Sequence, residues 1–343
     1  MTSSTTHMLN EIREIPDTVA RLLDQGGDAL AVAGRALREA DPRVIVTIAR
    51  GSSDHVAAYL KYAVELAAGV PVASIGPSIA SIYGATLKLE HAASLAISQS
   101  GKSPDIVAMA MAARGSGALT IGLTNTTGSP LAGVSDHAID ILAGPERSVA
   151  ATKTFVASAV AGLALIAHWT GDDDLDAALR ALPDQLGKAI GCDWSPLAAA
   201  LDGEDSLFVL GRGPGMAIAE EAALKFKETC GMHAEAYSAA EVMHGPLALV
   251  RPAFPVLALA ARDKSEPSIA EAADALAARG AAVLVTSERA PKAARLPFAA
   301  TGHPLTDPLA LIVSFYAFVE AHARARGLDP DQPPNLRKVT ETL

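Results

Sequence analysis

Residues 92–105 read AASLAISQSGKSPD, and the rest of the chain is organised around this stretch. The apolar run 92–97 predicts a buried strand, and Asp105 to Arg114 has the spacing of a helix. The polar, glycine-containing turn Ser98 to Ser103 lies between them. A strand, a polar turn and a helix in this order aim backbone N–H groups and the positive helix end at one point. The turn is therefore a candidate anion-binding loop.

The side chains of this turn add hydrogen-bond donors around the same point, namely Ser98, Gln99, Ser100 and Ser103. Such a loop suits a phosphate monoester, which offers several acceptor oxygens and negative charge. The alternative is a simple helix N-cap, because Ser103 followed by Pro104 would begin a helix in any protein. The spacing of a P-loop is absent. The turn alone leaves both interpretations open.

Composition indicates about two domains with helices packed on parallel strands, because half of the 343 residues are hydrophobic and only 19% are charged. A net charge of −10 argues against a nucleic-acid surface. Cys192 and Cys230 are the only cysteines, so neither a disulfide framework nor a cysteine zinc site is expected. No signal sequence and no run of about 18 uninterrupted apolar residues is present, so we expect no membrane span and a cytoplasmic location.

Short apolar strands alternate with helical segments of ten to fifteen residues, a pattern that predicts a doubly wound parallel sheet. The first strand, Val44 to Ala49, runs into the polar turn Arg50-Gly51-Ser52-Ser53. Ligands of open α/β sheets bind at the carboxyl ends of the strands. We therefore expect this turn and the Ser98 to Ser103 turn to converge, which favours the phosphate interpretation.

The second half of the chain repeats the first. Leu207 to Gly213 resembles Ile45 to Gly51, and Leu257 to Ser265 resembles Leu95 to Ser103 at the same offset. In the second copy, Ala260-Ala261-Arg262-Asp263 loses the hydroxyl donors and gains a carboxylate, so only the first copy keeps the anion loop. The predicted fold is α/β, with two tandem duplicated domains that are each a parallel sheet flanked by helices in three αβα layers. The predicted boundaries are N-terminal helices at 1–40, a first domain with connecting helices at 41–203, a second domain at 204–330 and a tail at 331–343.

A charged helix, Ala217 to Cys230, carries Lys225 and Glu228 on one face, as a base and a cation that holds it would require. The alternative is a solvated face with a Glu221–Lys225 pair worth a few tenths of a kcal/mol, and spacing alone favours it. His244 precedes Gly-Pro on a loop and is a candidate proton shuttle to a sugar ring oxygen. Read as metal ligands, His233, Glu235, Glu241 and His244 match no zinc signature, so no metal is expected.

Taken together, these motifs resemble the SIS (sugar isomerase) domain family, and the whole chain resembles the isomerase half of glutamine–fructose-6-phosphate aminotransferase. The resemblance rests on five stretches, from about residue 45 to the end: Ser98-Gln99-Ser100-Gly101, Gly144-Pro145-Glu146 to Thr152-Lys153, the Glu221 to Glu228 helix, His233 to Ala248, and Asp331-Gln332-Pro333 with Asn335-Leu336.

The resemblance implies roles for individual residues. Glu228 matches the base that moves a proton between C1 and C2, and Lys225 matches the cation beside it. His244 matches a ring-opening acid/base that reaches the site from a neighbouring subunit, so a homodimer with a shared active site is implied. Lys338 matches a tail lysine that forms a Schiff base with the open-chain ketose, which would make the tail an ordered, ligand-covering segment. Sugar phosphate contacts are implied for Ser53, Ser98, Gln99, Ser100 and Ser103, with Gly51 and Ser52 in the same turn and Val149 through its backbone.

Four positions depart from the family pattern and put the substrate in question: Arg50, Lys102, Ala151 and Arg337. No cysteine precedes Cys192, so glutamine hydrolysis is not expected within this sequence. The resemblance then implies an amino-sugar phosphate deaminase/isomerase that converts glucosamine 6-phosphate and water to fructose 6-phosphate and ammonia without a cofactor. Fructosamine-6-phosphate deglycase and galactosamine-6-phosphate deaminase are related alternatives. A non-catalytic sugar-phosphate-binding regulator is an alternative of another class.

Overall fold

The computed structural model describes residues 5–338 of the chain. The chain divides into two compact units. The first-sheet unit contains Ile15–Glu146, Lys153–Pro183 and Arg337–Leu343, and the second-sheet unit contains Met1–Glu14, Arg147–Thr152 and Asp184–Leu336. The domain boundaries at residues 40, 203 and 330 stay a prediction.

The described residues form ten strands and thirteen α-helices. The strands are β1 Val44–Ile48, β2 Val72–Ser74, β3 Ala92–Ile97, β4 Leu119–Thr124, β5 His137–Asp140, β6 Ser206–Gly211, β7 His233–Ser238, β8 Pro255–Ala258, β9 Ala282–Val285 and β10 Ala294–Arg295. The helices are α1 His7–Arg13, α2 Ile15–Gln25, α3 Gly27–Ala40, α4 Ser52–Ala67, α5 Ser78–Ser81, α6 Pro104–Gly115, α7 Pro130–Val134, α8 Lys153–Thr170, α9 Asp173–Ile190, α10 Ser195–Ala200, α11 Pro214–Cys230, α12 Glu266–Ala277 and α13 Asp307–Ala325. A 3₁₀ helix covers Gly245–Leu249.

The first sheet has five parallel strands in the order β2-β1-β3-β4-β5. Successive side chains of a strand point to opposite faces, so each strand serves two helical layers. Val46 and Ile48 of β1 pack with Ile106 and Met109 of α6 on one face. The other face is covered by α8, which also contacts α2, α3 and α4. This unit therefore has the predicted three αβα layers.

Helix α8 contains no run of 18 uninterrupted apolar residues, because Ser158 and His168 interrupt it. It is the one helix among the described residues that is long and apolar enough to cross a bilayer. In the structure, 89% of it is buried against the rest of the protein. An all-round apolar helix is also what a central core position requires, and its neighbours are other helices and the sheet.

The second sheet also has five parallel strands, in the order β10-β9-β8-β6-β7. Read from the other edge, this order matches that of the first sheet strand for strand. Phe208, Val256 and Val283 pack with Ile269 and Leu276 of α12 on one face. Helix α11 contacts β6, β7 and α13.

The backbone confirms the internal duplication at the turn that follows the first strand of each sheet. Gly51 has φ 56° and ψ −135°, and Gly213, 162 residues later, has φ 59° and ψ −137°. Positive φ with ψ near this value is open essentially to glycine alone. Each glycine lets a strand turn directly into a helix, α4 or α11, at the carboxyl edge of its sheet.

Candidate active site

The anion loop lies where the strand order of the first sheet reverses. β1 and β3 are paired neighbours, with Ile48 opposite Ala96. The chain leaves β1 toward β2 on one side and leaves β3 toward β4 on the other. Helices α4 and α6 begin directly after these two strands, at Ser52 and Pro104. Two helix N-termini and the two polar turns therefore meet at a topological switch point, where open α/β sheets bind ligands.

Packing fixes the conformation of this loop. Gly101 has φ 61°, and a Cβ atom there would lie 2.2 Å from Ser129 Oγ. Its N–H donates to Ser98 Oγ at 3.2 Å, and the N–H of Lys102 donates to Ser100 Oγ at 3.3 Å. Ser103 stands at the N-cap of α6, but its side chain makes no capping hydrogen bond. The N-cap interpretation accounts for the position of Ser103 and leaves its hydroxyl unexplained.

The equivalent turn of the second sheet is filled by its own charged groups. Arg262 Nη1 lies 3.1 Å from Glu266 Oε1 and donates to the Thr286 carbonyl at 2.9 Å. The Asp263 carboxylate accepts the N–H and the hydroxyl of Ser265 at 2.7 and 2.6 Å. A carboxylate and an internally paired guanidinium replace the hydroxyl donors, so this turn lacks the features that suit a phosphate.

In the second-sheet unit, one face of the charged helix α11 is buried. The Lys225 side chain is 0% exposed, and its Nζ lies 3.1 Å from Glu221 Oε1 and 2.6 Å from Glu228 Oε2. Glu221 is also 0% exposed, whereas Glu228 is 21% exposed. The hydroxyl of Tyr316 on α13 donates to Glu221 Oε1 at 3.1 Å. This face is a buried ionic cluster and not a solvated one.

The charges of this cluster support one another. Burial opposes the charged form of Lys225, but the carboxylates of Glu221 and Glu228 outweigh it and raise the pKa of Lys225 above its ordinary value. The ammonium therefore stays charged and holds one oxygen of the partly exposed Glu228 carboxylate. A carboxylate oriented in this way can accept and return a proton.

His244 is placed apart from this cluster. His244 is exposed and directly precedes the 3₁₀ helix. Its backbone N–H donates to the Glu241 carbonyl at 3.0 Å. Among the described residues, the ion pair of Glu228 is with Lys225 and not with His244. Over the same residues, no group of three or more His, Cys, Asp or Glu side chains could hold a metal ion.

The tail lysine has a partner that sequence analysis did not single out. In the first-sheet unit, Lys338 Nζ lies 2.8 Å from Glu146 Oε2, whose side chain is 0% exposed. Glu146 also accepts the N–H and hydroxyl of Thr154 at 3.0 and 2.7 Å. Burial works to raise the pKa of Glu146, but Lys338 and Thr154 outweigh it and lower that pKa. A buried, ionised carboxylate thus holds the tail lysine.

Val149 lies on a loop of the second-sheet unit that Glu11 holds in place. The Val149 N–H donates to the Asp331 carbonyl at 3.2 Å. Glu11, only 4% exposed, accepts hydrogen bonds from the N–H groups of Arg147 and Ser148 and from the Ser148 hydroxyl. Glu11 was missed because its partners are 136 and 137 residues away. Its one visible signal is its place beside Ile12 on the buried face of α1.

A family model described as the SIS domain matches residues 37–168 and 200–317. The glutamine–fructose-6-phosphate aminotransferase [isomerizing] of Symbiobacterium thermophilum is 35% identical over 358 residues, covering 96% of this chain and 58% of that protein. The enzyme of the same name from Aeropyrum pernix is 33% identical, covering 97% of this chain and 56% of that protein. The chain thus spans less than two thirds of these relatives.

Solved structures agree with the match. A candidate phosphosugar isomerase from Silicibacter pomeroyi DSS-3 has a TM-score of 0.93 and 57% identity, covering 95% of this chain and 100% of that one. The C-terminal domain of glucosamine–fructose-6-phosphate aminotransferase from Francisella tularensis has a TM-score of 0.84 and 25% identity, covering 96% and 99%. The duplicated sheets and both kinds of comparison lead to one conclusion. The chain belongs to the SIS domain family, and its relatives include the isomerase half of glutamine–fructose-6-phosphate aminotransferase.

Proposed function

We propose that the chain is an amino-sugar phosphate deaminase/isomerase that converts glucosamine 6-phosphate and water to fructose 6-phosphate and ammonia. The observation that carries the proposal is the Lys225–Glu228 pair, a fully buried ammonium 2.6 Å from a carboxylate that is 21% exposed. A carboxylate held on one side and accessible on the other is suited to move a proton between two adjacent carbons of a bound substrate.

The anion loop supplies the second requirement, which is recognition of the phosphate. Its two helix N-termini favour negative charge. The donors assigned to the phosphate are the loop residues Ser98, Gln99, Ser100 and Ser103, together with Gly51, Ser52 and Ser53 of the neighbouring turn.

In the proposed course, His244 transfers the proton that opens the sugar ring. Glu228 then removes the proton from C2 and returns it to C1 through an enolamine, which leaves a ketimine at C2. Water adds to C2, ammonia leaves, and the open-chain ketose remains. Lys338 is assigned to a Schiff base at C2 of that ketose, which forms with loss of water and is hydrolysed by water before the ketose is released. Val149 is assigned to a backbone contact with the sugar. Acid–base catalysis suffices for these steps, so the proposal includes no cofactor.

The proposal also takes the protein to be a cytoplasmic homodimer in which His244 comes from the neighbouring subunit. What supports this is the exposed position of His244 and the ion pair of Glu228, which among the described residues is with Lys225 and not with His244.

The test is ammonia release from glucosamine 6-phosphate by the purified protein and by Glu228→Gln and His244→Ala. General acid–base catalysis contributes about 10²–10⁴-fold, so each substitution should lower kcat by at least about 10²-fold. Glu271→Gln and His233→Ala replace exposed residues of the same types and should leave the rate unchanged.

Other outcomes point to other functions. Wild-type protein that binds the sugar phosphate without releasing ammonia would contradict the proposal for this substrate. Fructosamine 6-phosphates and galactosamine 6-phosphate would then be assayed in the same way. Binding of a sugar phosphate without turnover of any of the three would favour the non-catalytic regulator.

A further inference from the structure

An arginine, Arg50, stands beside the anion loop. Arg50 follows β1 by two positions, and Ser98 directly follows β3. Because Ile48 and Ala96 are paired across these strands, Arg50 leaves the sheet next to Ser98. The pairing of β1 with β3 therefore places Arg50 at the switch point.

Asp105 holds the Arg50 side chain in that position. Arg50 Nη2 forms an ion pair with Asp105 Oδ2, and Asp105 lies in the first turn of α6, two residues after Ser103. The Asp105 side chain is 0% exposed, whereas that of Arg50 is 44% exposed. The ion pair thus joins the end of β1 to the helix that begins at the anion loop.

The charge arrangement indicates that Arg50 does more than neutralise Asp105. A buried carboxylate in the first turn of α6 is favourable for the helix dipole but repels an anion bound at the same N-terminus. A guanidinium has five N–H donors in a planar fork that matches phosphate, and the pair with Asp105 engages Nη2. A purely structural counter-ion to a fully buried carboxylate has no need to keep 44% of its side chain in solvent.

We propose that Arg50, positioned by Asp105, is a direct phosphate-binding residue of the anion loop. The inference rests on the proposed function, since it deepens the recognition of a sugar phosphate at that loop. Arg50 pairs with Asp105 through one nitrogen and with the phosphate oxygens through the others. The doubly charged phosphate monoester is the ligand that this arrangement fits, because its three terminal oxygens can accept hydrogen bonds from the guanidinium N–H groups other than those of Nη2.

The experiment is calorimetric titration with inorganic phosphate at pH 8, where the anion is doubly charged, followed by the same titration with fructose 6-phosphate. A charged hydrogen bond contributes enough that Arg50→Ala should weaken both affinities by about 10- to 100-fold. Arg50→Lys keeps the positive charge but lacks the planar fork of donors. Its affinity should therefore lie between those of the wild type and Arg50→Ala. Arg114→Ala is the matched control and should leave both affinities unchanged. Arg114 lies at the other end of α6, where it forms a 2.8 Å ion pair with Asp136.

The double variant Arg50→Ala/Asp105→Asn separates a ligand contact from a counter-ion. It removes the buried charge together with its partner, so the loop keeps its charge balance and the protein its stability. If Arg50 contacts phosphate, the double variant recovers only the affinity that the unpaired Asp105 charge had cost and still binds more weakly than the wild type. If Arg50 only neutralises Asp105, the double variant recovers wild-type affinity, and the inference is overturned.

Two further outcomes separate this inference from the proposed function. Wild-type protein that binds phosphate with the same affinity as Arg50→Ala would overturn the role of Arg50 and leave the anion loop standing. Wild-type protein that binds neither inorganic phosphate nor fructose 6-phosphate would overturn the anion loop, and the role of Arg50 with it.

Discussion

Replacement of Lys225 by methionine should cost the protein a large part of its stability. The Lys225 side chain is 0% exposed and is held by two carboxylates, Glu221 at 3.1 Å and Glu228 at 2.6 Å. Methionine fills most of the same volume, so the change removes the charge while leaving little cavity. The two carboxylates are then close to each other in a buried place without a cation.

The expected loss follows from this geometry. Removal of one partner from a buried ionic group costs about 3–5 kcal/mol, because the remaining charge is left unpaired and poorly solvated. For a folding unit of 150–250 residues, the size of each of the two units, 1 kcal/mol lowers the Tm by about 2–4 °C, so we expect a decrease of roughly 6–20 °C. Addition of Glu221→Gln to Lys225→Met should recover part of the loss, since it removes the more deeply buried carboxylate.

The stability that Lys225 contributes depends on pH in a definite direction. The pKa of Lys225 is raised above its ordinary value of 10.5 in the folded protein. Its stabilisation is therefore fully present below that ordinary value and is lost as the pH rises through the folded pKa. The wild type should show no change from this group between about pH 6 and 9.

The assay is urea denaturation followed by circular dichroism, with the midpoint compared at each pH. Lys227→Met is the control, because Lys227 lies on the same helix and is exposed. The reasoning would be refuted if Lys225→Met and Lys227→Met lowered the midpoint equally.

Three other predictions concern the first-sheet unit and the cysteines. Gly101→Ala should abolish binding of inorganic phosphate, because φ is 61° and the new Cβ would meet Ser129 Oγ at 2.2 Å. Glu146→Gln should flatten the acid limb of the stability profile: the lowered pKa of Glu146 gives stabilisation that is present above its ordinary value of 4.5 and lost as the pH falls through the folded value. Native protein should titrate one thiol with a disulfide reagent at pH 8, since burial raises the pKa of Cys230 to about 11, whereas Cys192 is partly exposed.

Each of these predictions has an outcome that would contradict it. Gly128→Ala, in the same unit, meets no atom within 4 Å and should bind phosphate normally, so equal affinities of the two alanine variants would count against the packing argument. An unchanged acid limb in Glu146→Gln would mean that the ion pair with Lys338 adds no net stability. Two thiols reacting at equal rates in native protein would contradict the burial of Cys230, and Cys192→Ser identifies the thiol that reacts.

Patterns local in sequence predicted most of the fold. Alternation of apolar strands and helices gave the parallel α/β class, and the repeated turn at Gly51 and Gly213 gave the duplication, because a glycine-only backbone conformation leaves a mark in the sequence. Element ends moved slightly: the first strand, expected to end at Ala49, ends at Ile48. His233–Ser238 was read only as a motif and is the edge strand β7, whose mixed polar sequence has no apolar run to reveal it.

Within the candidate site, the sequence identified the anion loop and the Lys225–Glu228 spacing, since both are made of residues close along the chain. Spacing alone favoured a solvated face for that helix, because periodicity reports which residues share a face and not what covers the face. Tyr316 and the rest of α13 cover α11, and they lie about ninety positions further along the chain.

By itself, the sequence determined the class of fold and its duplication, both through patterns that span a few residues, and it proposed the loop for the phosphate. Only the tertiary structure decided which charged groups pair: Arg50 with Asp105, and Lys338 with Glu146. The physical reason is that the strength of an ion pair depends on burial and on distances of a few ångströms. Those quantities are set when strands and helices distant in sequence pack together.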